Sequence, residues 1–124
     1  MKRWTSGRES SLLDDIIAGR KTIEGRLNRG KFANYAVGDV VSLRRDIRGA
    51  DGVLHDGEPN QVQVQIVAIR QYATFIEMVM AEGFSAVIPN AKSAAEAADE
   101  YDKFYSAEDQ SLYGVMAIEI RTIS

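Results

Sequence analysis

The chain has 124 residues, 45% of them hydrophobic and 27% charged, with 15 Lys plus Arg against 18 Asp plus Glu, one histidine and no cysteine. That length and apolar content suit one domain with an adequate core, expected to span 1–124, and the lack of cysteine excludes disulfides, thiolate metal sites and a cysteine nucleophile. His55 has no partner of its kind for a structural zinc site, no apolar run approaches the ~20 residues that span a bilayer, and no signal-type apolar segment follows Met1–Gly7. The expectation is therefore a soluble, cytoplasmic protein without a membrane partner, metal or other cofactor.

In chain order, Leu12, Leu13, Ile16 and Ile17 fall at helical spacing between candidate capping serines at Ser10 and Ser11 and the stop at Gly19, which predicts a short amphipathic helix over Ser10–Ala18. Lys21–Asn28 reads as a strand, followed by a basic turn through Arg29, Gly30 and Lys31. Val37-Gly38-Asp39 is a turn before a strand over Val40–Arg45. Asp46–Asn60, rich in glycine and acids and holding His55, reads as a long exposed loop with room for a short hairpin. Val62, Val64 and Ile66 alternate with Gln63 and Gln65, the period-two mark of a half-buried strand that should be central and run on toward Arg70. Thr74–Glu77 fits a capping box at the start of a helix that buries Phe75, Met78 and Val79. Ser93–Glu96 repeats the device ahead of Ala97, Tyr101 and Phe104, Ser106–Asp109 caps a final turn, and Val115–Ile123 is a largely buried strand. Strands and helices without regular alternation indicate an α+β fold, with closure of five or six short strands into a small β-barrel as the expected way to remove exposed edges.

Within Lys21–Asn28 the charges fall on alternate positions. Side chains in a strand point to opposite faces with period two, so Thr22, Glu24 and Arg26 share one face while Ile23 and Leu27 enter a core. Charge is also segregated along the chain: residues 1–48 hold 11 basic and 6 acidic side chains, and residues 49–124 hold 4 basic and 12 acidic ones. Such asymmetry steers an anionic partner toward the first region when the two segments form separate faces, and reads as ordinary solvated surface when they do not.

Gly19-Arg20-Lys21-Thr22-Ile23-Glu24-Gly25-Arg26, the Val37-Gly38-Asp39 turn, Tyr72 with Phe75 before a helix, and Phe104-Tyr105-Ser106 leading to Tyr113-Gly114-Val115 together resemble an ASCH domain over nearly the whole chain. The resemblance implies a PUA-like β-barrel with flanking helices, a cleft near Lys21, Glu24 and Arg26, an association with RNA or modified nucleosides, and Ser106 as a further site residue. Members of that family differ in activity: some resemble RNA-binding accessory domains, some are ribonucleases, and some hydrolyse the acyl amide of N4-acetylcytidine. The amidohydrolase pattern has a threonine three residues after the lysine; here that position is Glu24, and Thr22 follows Lys21 directly. Glu77 or Glu82 is then the candidate for the distal carboxylate of that pattern.

Two functions follow as expectations, a binding module for RNA or a nucleoside, and a hydrolase acting on RNA or an acylated cytidine. In the first, a basic cleft around Lys21, Glu24 and Arg26 takes the ligand, Lys21, Thr22, Arg26, Asn28, Arg29 and Lys31 bind it, and Tyr105, Tyr113 or Phe32 stacks an unpaired base; the alternative for these aromatics is core packing. In the second, Lys21, Glu24 and Ser106 are the catalytic candidates. Lys21 stabilises charge or donates a proton, Glu24 acts as base, and Arg26 holds phosphate; equally, Glu24 and Arg26 form an orienting ion pair and Ser106 caps a helix. A monomer is expected.

Overall fold

The computed structural model describes residues 1–123; Ser124, the last residue of the expected domain span, lies outside the described residues. The expected α+β class is found. Six strands, β1 (Arg3–Glu9), β2 (Ile23–Leu27), β3 (Val40–Arg48), β4 (Leu54–Asp56), β5 (Val62–Tyr72) and β6 (Val115–Thr122), form one mixed sheet. Five α-helices accompany them: α1 (Ser10–Ile17), α2 (Phe75–Glu82), α3 (Phe84–Val87), α4 (Ala94–Asp102) and α5 (Ala107–Tyr113). The hydrogen-bonded order is β1-β3-β5-β6-β2, with β4 beside β3. β5 is central as its alternation requires. Among the described residues only β1 and β3 run parallel.

Alternation along the strands makes two cores. Val41 and Leu43 of β3, Val64 and Ile66 of β5, and Met116, Ile118 and Ile120 of β6 face inward with Leu13 and Ile16 of α1. Val115 and Ala117 of β6 turn the other way, with Ile23 and Leu27 of β2, and pack against Phe75, Met78 and Val79 of α2 and Ala97 and Ala98 of α4. Ring stacking reinforces this second core: Phe75 lies 4.3 Å from Tyr101, with the planes 1° apart, and 5.3 Å from Tyr105.

The helix starts follow local chemistry. Thr74 accepts from the Glu77 amide at 3.2 Å while Glu77 reaches back to the Ala73 amide, and Ser93 and Ser106 accept from the amides of Glu96 and Asp109, each at 3.1 Å. At α1 the expected serine cap is replaced by Glu9, whose carboxylate accepts from the Ser11 amide. β2 is shorter than the expected Lys21–Asn28 strand, and the expected loop after Asp46 is largely a hairpin, since β3 continues to Arg48 and returns as β4.

Closure is where the structure departs from expectation. Among the described residues no backbone ladder joins β1 to β2, so the sheet is open along one seam. Side chains bridge that seam instead. The Arg8 Nε of β1 donates to both carboxylate oxygens of Glu24 in β2 at 2.9 Å, and Arg8 Nη1 donates to Ser6 Oγ and Gly7 O at 2.7 Å. Both partners are buried, with side-chain exposures of 6% and 5%. Removing one member of such a pair strands a charge in the interior, which typically costs ~3–5 kcal/mol. Arg8→Ala is expected to lower stability by about that amount in urea unfolding at neutral pH; a loss below ~1 kcal/mol, the scale of a solvent-exposed pair, would show that the seam is held by something else.

Candidate functional site

The open seam leads into a cavity of about 550 Å³, walled by the ends of β1 and β3, by β2, by β4 and by α4 with the turn that follows it. Small-molecule sites commonly span ~300–1,000 Å³. Lys21, Glu24, Arg26 and Tyr105, four of the residues singled out in the sequence, line it. Glu24 and Arg26 do share a strand face, with Arg26 Nη2 3.5 Å from Glu24 Oε2. The Arg26 guanidinium also lies 5.0 Å from the Phe32 ring, and its Nε is buried without a hydrogen-bond partner. Gly25 between them is required by packing: a Cβ there would fall 2.8 Å from both Met78 and the Tyr101 ring.

Lys21 is buried just before β2, and its ammonium donates to the carbonyls of Ile23, at 2.8 Å, and Val87. Burial, aided by Arg26 and Arg8, outweighs the pull of Glu24 and Asp15 and lowers its pKa to about 8. Glu24 moves the other way. Burial alone would raise its carboxyl, but Arg8, Arg26 and Lys21 together hold it at about 2, so it is ionised and weakly basic at neutral pH. Burial pushes the Tyr101 phenol up, leaving it protonated.

The other expected site residues stand outside the cavity lining. Thr22 is exposed; its amide donates to Ala86 O, and it precedes β2 rather than sharing the strand face of Glu24 and Arg26. The Asn28 amide donates to Gly114 O. Arg29 lies over the Tyr105 and Tyr113 rings, at 5.9 and 5.3 Å, and 3.4 Å from Asp109. Lys31 donates to Thr5 O at 3.0 Å. Ser106 caps α5. Neither proposed distal carboxylate reaches the site: Glu77 caps α2, and Glu82 is bound by Arg70 through two 2.6 Å hydrogen bonds and by the Tyr72 hydroxyl. His55 is exposed on the β3–β4 hairpin beside Asp51.

The structure adds residues that the sequence reading missed: Arg8, Arg48, Glu96, Glu100, Tyr101 and Phe104. For the α4 residues a signal was present, since Glu96 and Glu100 are four apart on a helix whose Ala97, Ala98 and Tyr101 pack inward. With Arg8, Arg48, Lys21 and Arg26 set against Glu9, Glu24, Glu96 and Glu100, the walls carry four cations and four carboxylates. The cleft expected to be basic is charge-balanced. Among the described residues no group of three His, Asp or Glu side chains is placed to hold a metal ion, and no helix is long and apolar enough to cross a membrane.

The family model of the ASCH domain matches residues 10–124. The chain belongs to the ASCH domain family. The crystal structure of hypothetical protein PH0355 is similar at 34% identity and a TM-score of 0.79, covering 99% of this chain and 100% of that one. The solution structure of protein PF0455 from Pyrococcus furiosus matches at 34% identity and 0.76, covering 100% and 99%. An ASCH domain from Lactobacillus crispatus shares the fold at 14% identity and 0.66, covering 98% of this chain and 79% of that one. No curated protein matches the chain.

The buried Lys21 of this ASCH domain makes stability pH-dependent. Its native pKa near 8 lies below the 10.5 of the unfolded chain, so between those values the unfolded state holds the extra proton and native stability rises with pH. Relative to Lys21→Met, the wild type is expected to gain on the order of 3 kcal/mol as pH rises from 8 to 10.5, measured by urea unfolding at each pH.

Proposed function

We propose that this ASCH domain recognises a nucleoside, including base-modified forms, in the seam cavity, with Lys21, Arg26 and the Arg8–Glu24 pair as its polar floor and Phe104, Tyr101 and Tyr105 as its aromatic wall. The observation that carries this reading is the cancelling charge of a cavity of about 550 Å³. A polyanion site needs an excess of cations to neutralise phosphates, whereas here Glu24 lies against Arg8 and Arg26 and the lining offsets its remaining positive charge with Glu9, Glu96 and Glu100. A neutral, flat ligand rich in hydrogen-bonding groups suits such walls better than an RNA strand does. Of the aromatic residues, Phe104 has the freest ring at 74% exposed, while Tyr101 and Tyr105 are stacked on Phe75.

One observation supports hydrolysis of an acylated base as a second reading. With its pKa near 8, a sizeable fraction of Lys21 is neutral under mildly alkaline conditions. The neutral amine uses two N–H groups on Ile23 O and Val87 O and retains a lone pair to take a proton from water. That water would attack the acyl carbon, the N4–acyl bond would break, and the proton would pass to the departing amine. Arg26 supplies donors for the oxyanion. Glu24, ionised and held by Arg8, orients these cations in place of the threonine of the amidohydrolase pattern.

The test is equilibrium binding and turnover with cytidine, N4-acetylcytidine and labelled single-stranded RNA. A nucleoside is expected to bind and to lose at least ~10-fold in affinity on Lys21→Ala or Arg26→Ala, about 1.4 kcal/mol. The RNA is expected to bind more weakly than the nucleoside at physiological salt. RNA binding with a steep salt slope and no nucleoside binding would overturn the reading. If N4-acetylcytidine is turned over, the rate should rise with pH through about 8 as Lys21 loses its proton, and Lys21→Ala should abolish it.

A further inference from the structure

The cavity opens between two lips that belong to opposite sides of the seam. One is the β3–β4 hairpin, which contributes Arg48 and Leu54; the other is α4 with the turn that follows it, which contributes Glu96, Glu100 and Phe104. They are held differently. α4 is packed into the second core through Ala97, Ala98 and Tyr101, the last stacked on Phe75. The hairpin is tied at its base, where Arg44 Nη2 lies 3.1 Å from Asp56 and the Arg45 amide donates to Glu58 O at 2.8 Å. Gly57 permits that close approach, since a Cβ there would fall 2.1 Å from Arg45 O. Beyond the base, among the described residues, the hydrogen bonds of residues 48–55 stay within the hairpin: Arg48 donates to Gly52 O, the Gly49 amide donates to Val53 O, and the Asp51 carboxylate accepts from the Val53 amide beside His55. β4 pairs with β3 alone, and its three residues are exposed. A unit bonded within itself and unsupported outside moves as one body about its base.

The residues on the two lips are complementary. Arg48 makes no ion pair among the described residues, and Gly52 O takes one of its several donors. Glu96 makes none either, whereas the other carboxylates of the lining are occupied: Glu24 by Arg8, Glu100 by Lys103 at 2.8 Å, and Glu9 by the amide and hydroxyl of Ser11. Leu54 and Phe104 are both exposed apolar side chains on the same cavity. We infer that the β3–β4 hairpin is a lid that closes the seam cavity by swinging toward α4, with Arg48 pairing with Glu96 and Leu54 covering Phe104. An exposed ion pair is weak, so the latch is reversible, and the apolar contact shuts water out of the closed cavity. Such a lid gates entry and release of whatever small molecule the cavity takes. The inference goes beyond the nucleoside reading and does not depend on it.

The chain has no cysteine, so one introduced pair reports the contact. In the full-length, ligand-free Leu54→Cys/Phe104→Cys variant, with both changes at exposed positions, equilibration with reduced and oxidised glutathione gives the effective concentration of one thiol at the other, read by mass spectrometry. Closure is expected to raise it well above the ~mM level of two groups joined by a flexible linker. Arg48→Glu in that background should lower it at least ~3-fold by turning attraction into repulsion, and high salt should shrink the difference. Adding Glu96→Arg to Arg48→Glu should restore it. An effective concentration at or below the ~mM level would overturn the lid. A high value that Arg48→Glu leaves unchanged would overturn the assignment of Arg48 and Glu96 as its latch. Because no nucleoside is present, either result leaves the nucleoside reading standing.

Discussion

The Arg8–Glu24 ion pair is the contact on which the arrangement of this domain depends. Five strands in hydrogen-bonded sequence curl far enough to bring β1 and β2 close, yet no ladder joins them. A buried carboxylate there is tolerable only with its charge compensated at short range, and Arg8 does this with one nitrogen on both oxygens while its second donor holds Ser6 and Gly7 of its own strand. The pair therefore does two things together. It substitutes for the missing backbone ladder and fixes the polar floor of the cavity that the missing ladder leaves open.

The same compensation determines what the site offers a ligand. Glu24 holds Arg8 through two hydrogen bonds and lies 3.5 Å from Arg26, whose buried Nε has no partner, and burial of Lys21, aided by Arg26 and Arg8, holds its amine at about 8. A floor of this kind presents oriented donors, and the positive charge it keeps over Glu24 is offset in the lining by Glu9, Glu96 and Glu100. Preorganised donors in a pocket of this kind are placed to bind carbonyl oxygens and imino nitrogens. The aromatic side is built from the helical layer: Phe75, wholly buried, carries Tyr101 and Tyr105 on its stack and so aligns the wall of the cavity with the outer core.

Much of this was legible in the residue order, and the gaps have identifiable causes. Alternation in Val62–Ile66, the three capping pairs and the apolar run of β6 pointed to elements that the structure contains. β1 was missed because its inward positions are Trp4, Ser6 and Arg8, a polar set that period-two hydrophobicity cannot register; its partner is β3, reached by a parallel pairing across 37 residues in Arg3↔Val40. Arg29 and Lys31 read as ligand contacts because they are basic and near Arg26 in sequence; the 3-10 helix over Gly30–Asn34 begins there, and the two side chains reach Asp109 and Thr5 O and are outside the cavity lining. Glu77 and Glu82 read as reserve carboxylates until their partners, a helix start and Arg70, were seen to occupy them.

By itself, the sequence determined the α+β class and the family resemblance, because strand alternation and capping act between near neighbours and leave a periodic trace in the chain. Only the tertiary structure decided that the sheet stays open, that Arg8 meets Glu24 across 16 residues, and that α4 brings Glu96 and Glu100 to the same cavity. Those outcomes rest on which charges become neighbours after burial. Burial changes the strength of a charge interaction several-fold, and no local pattern of residues encodes it.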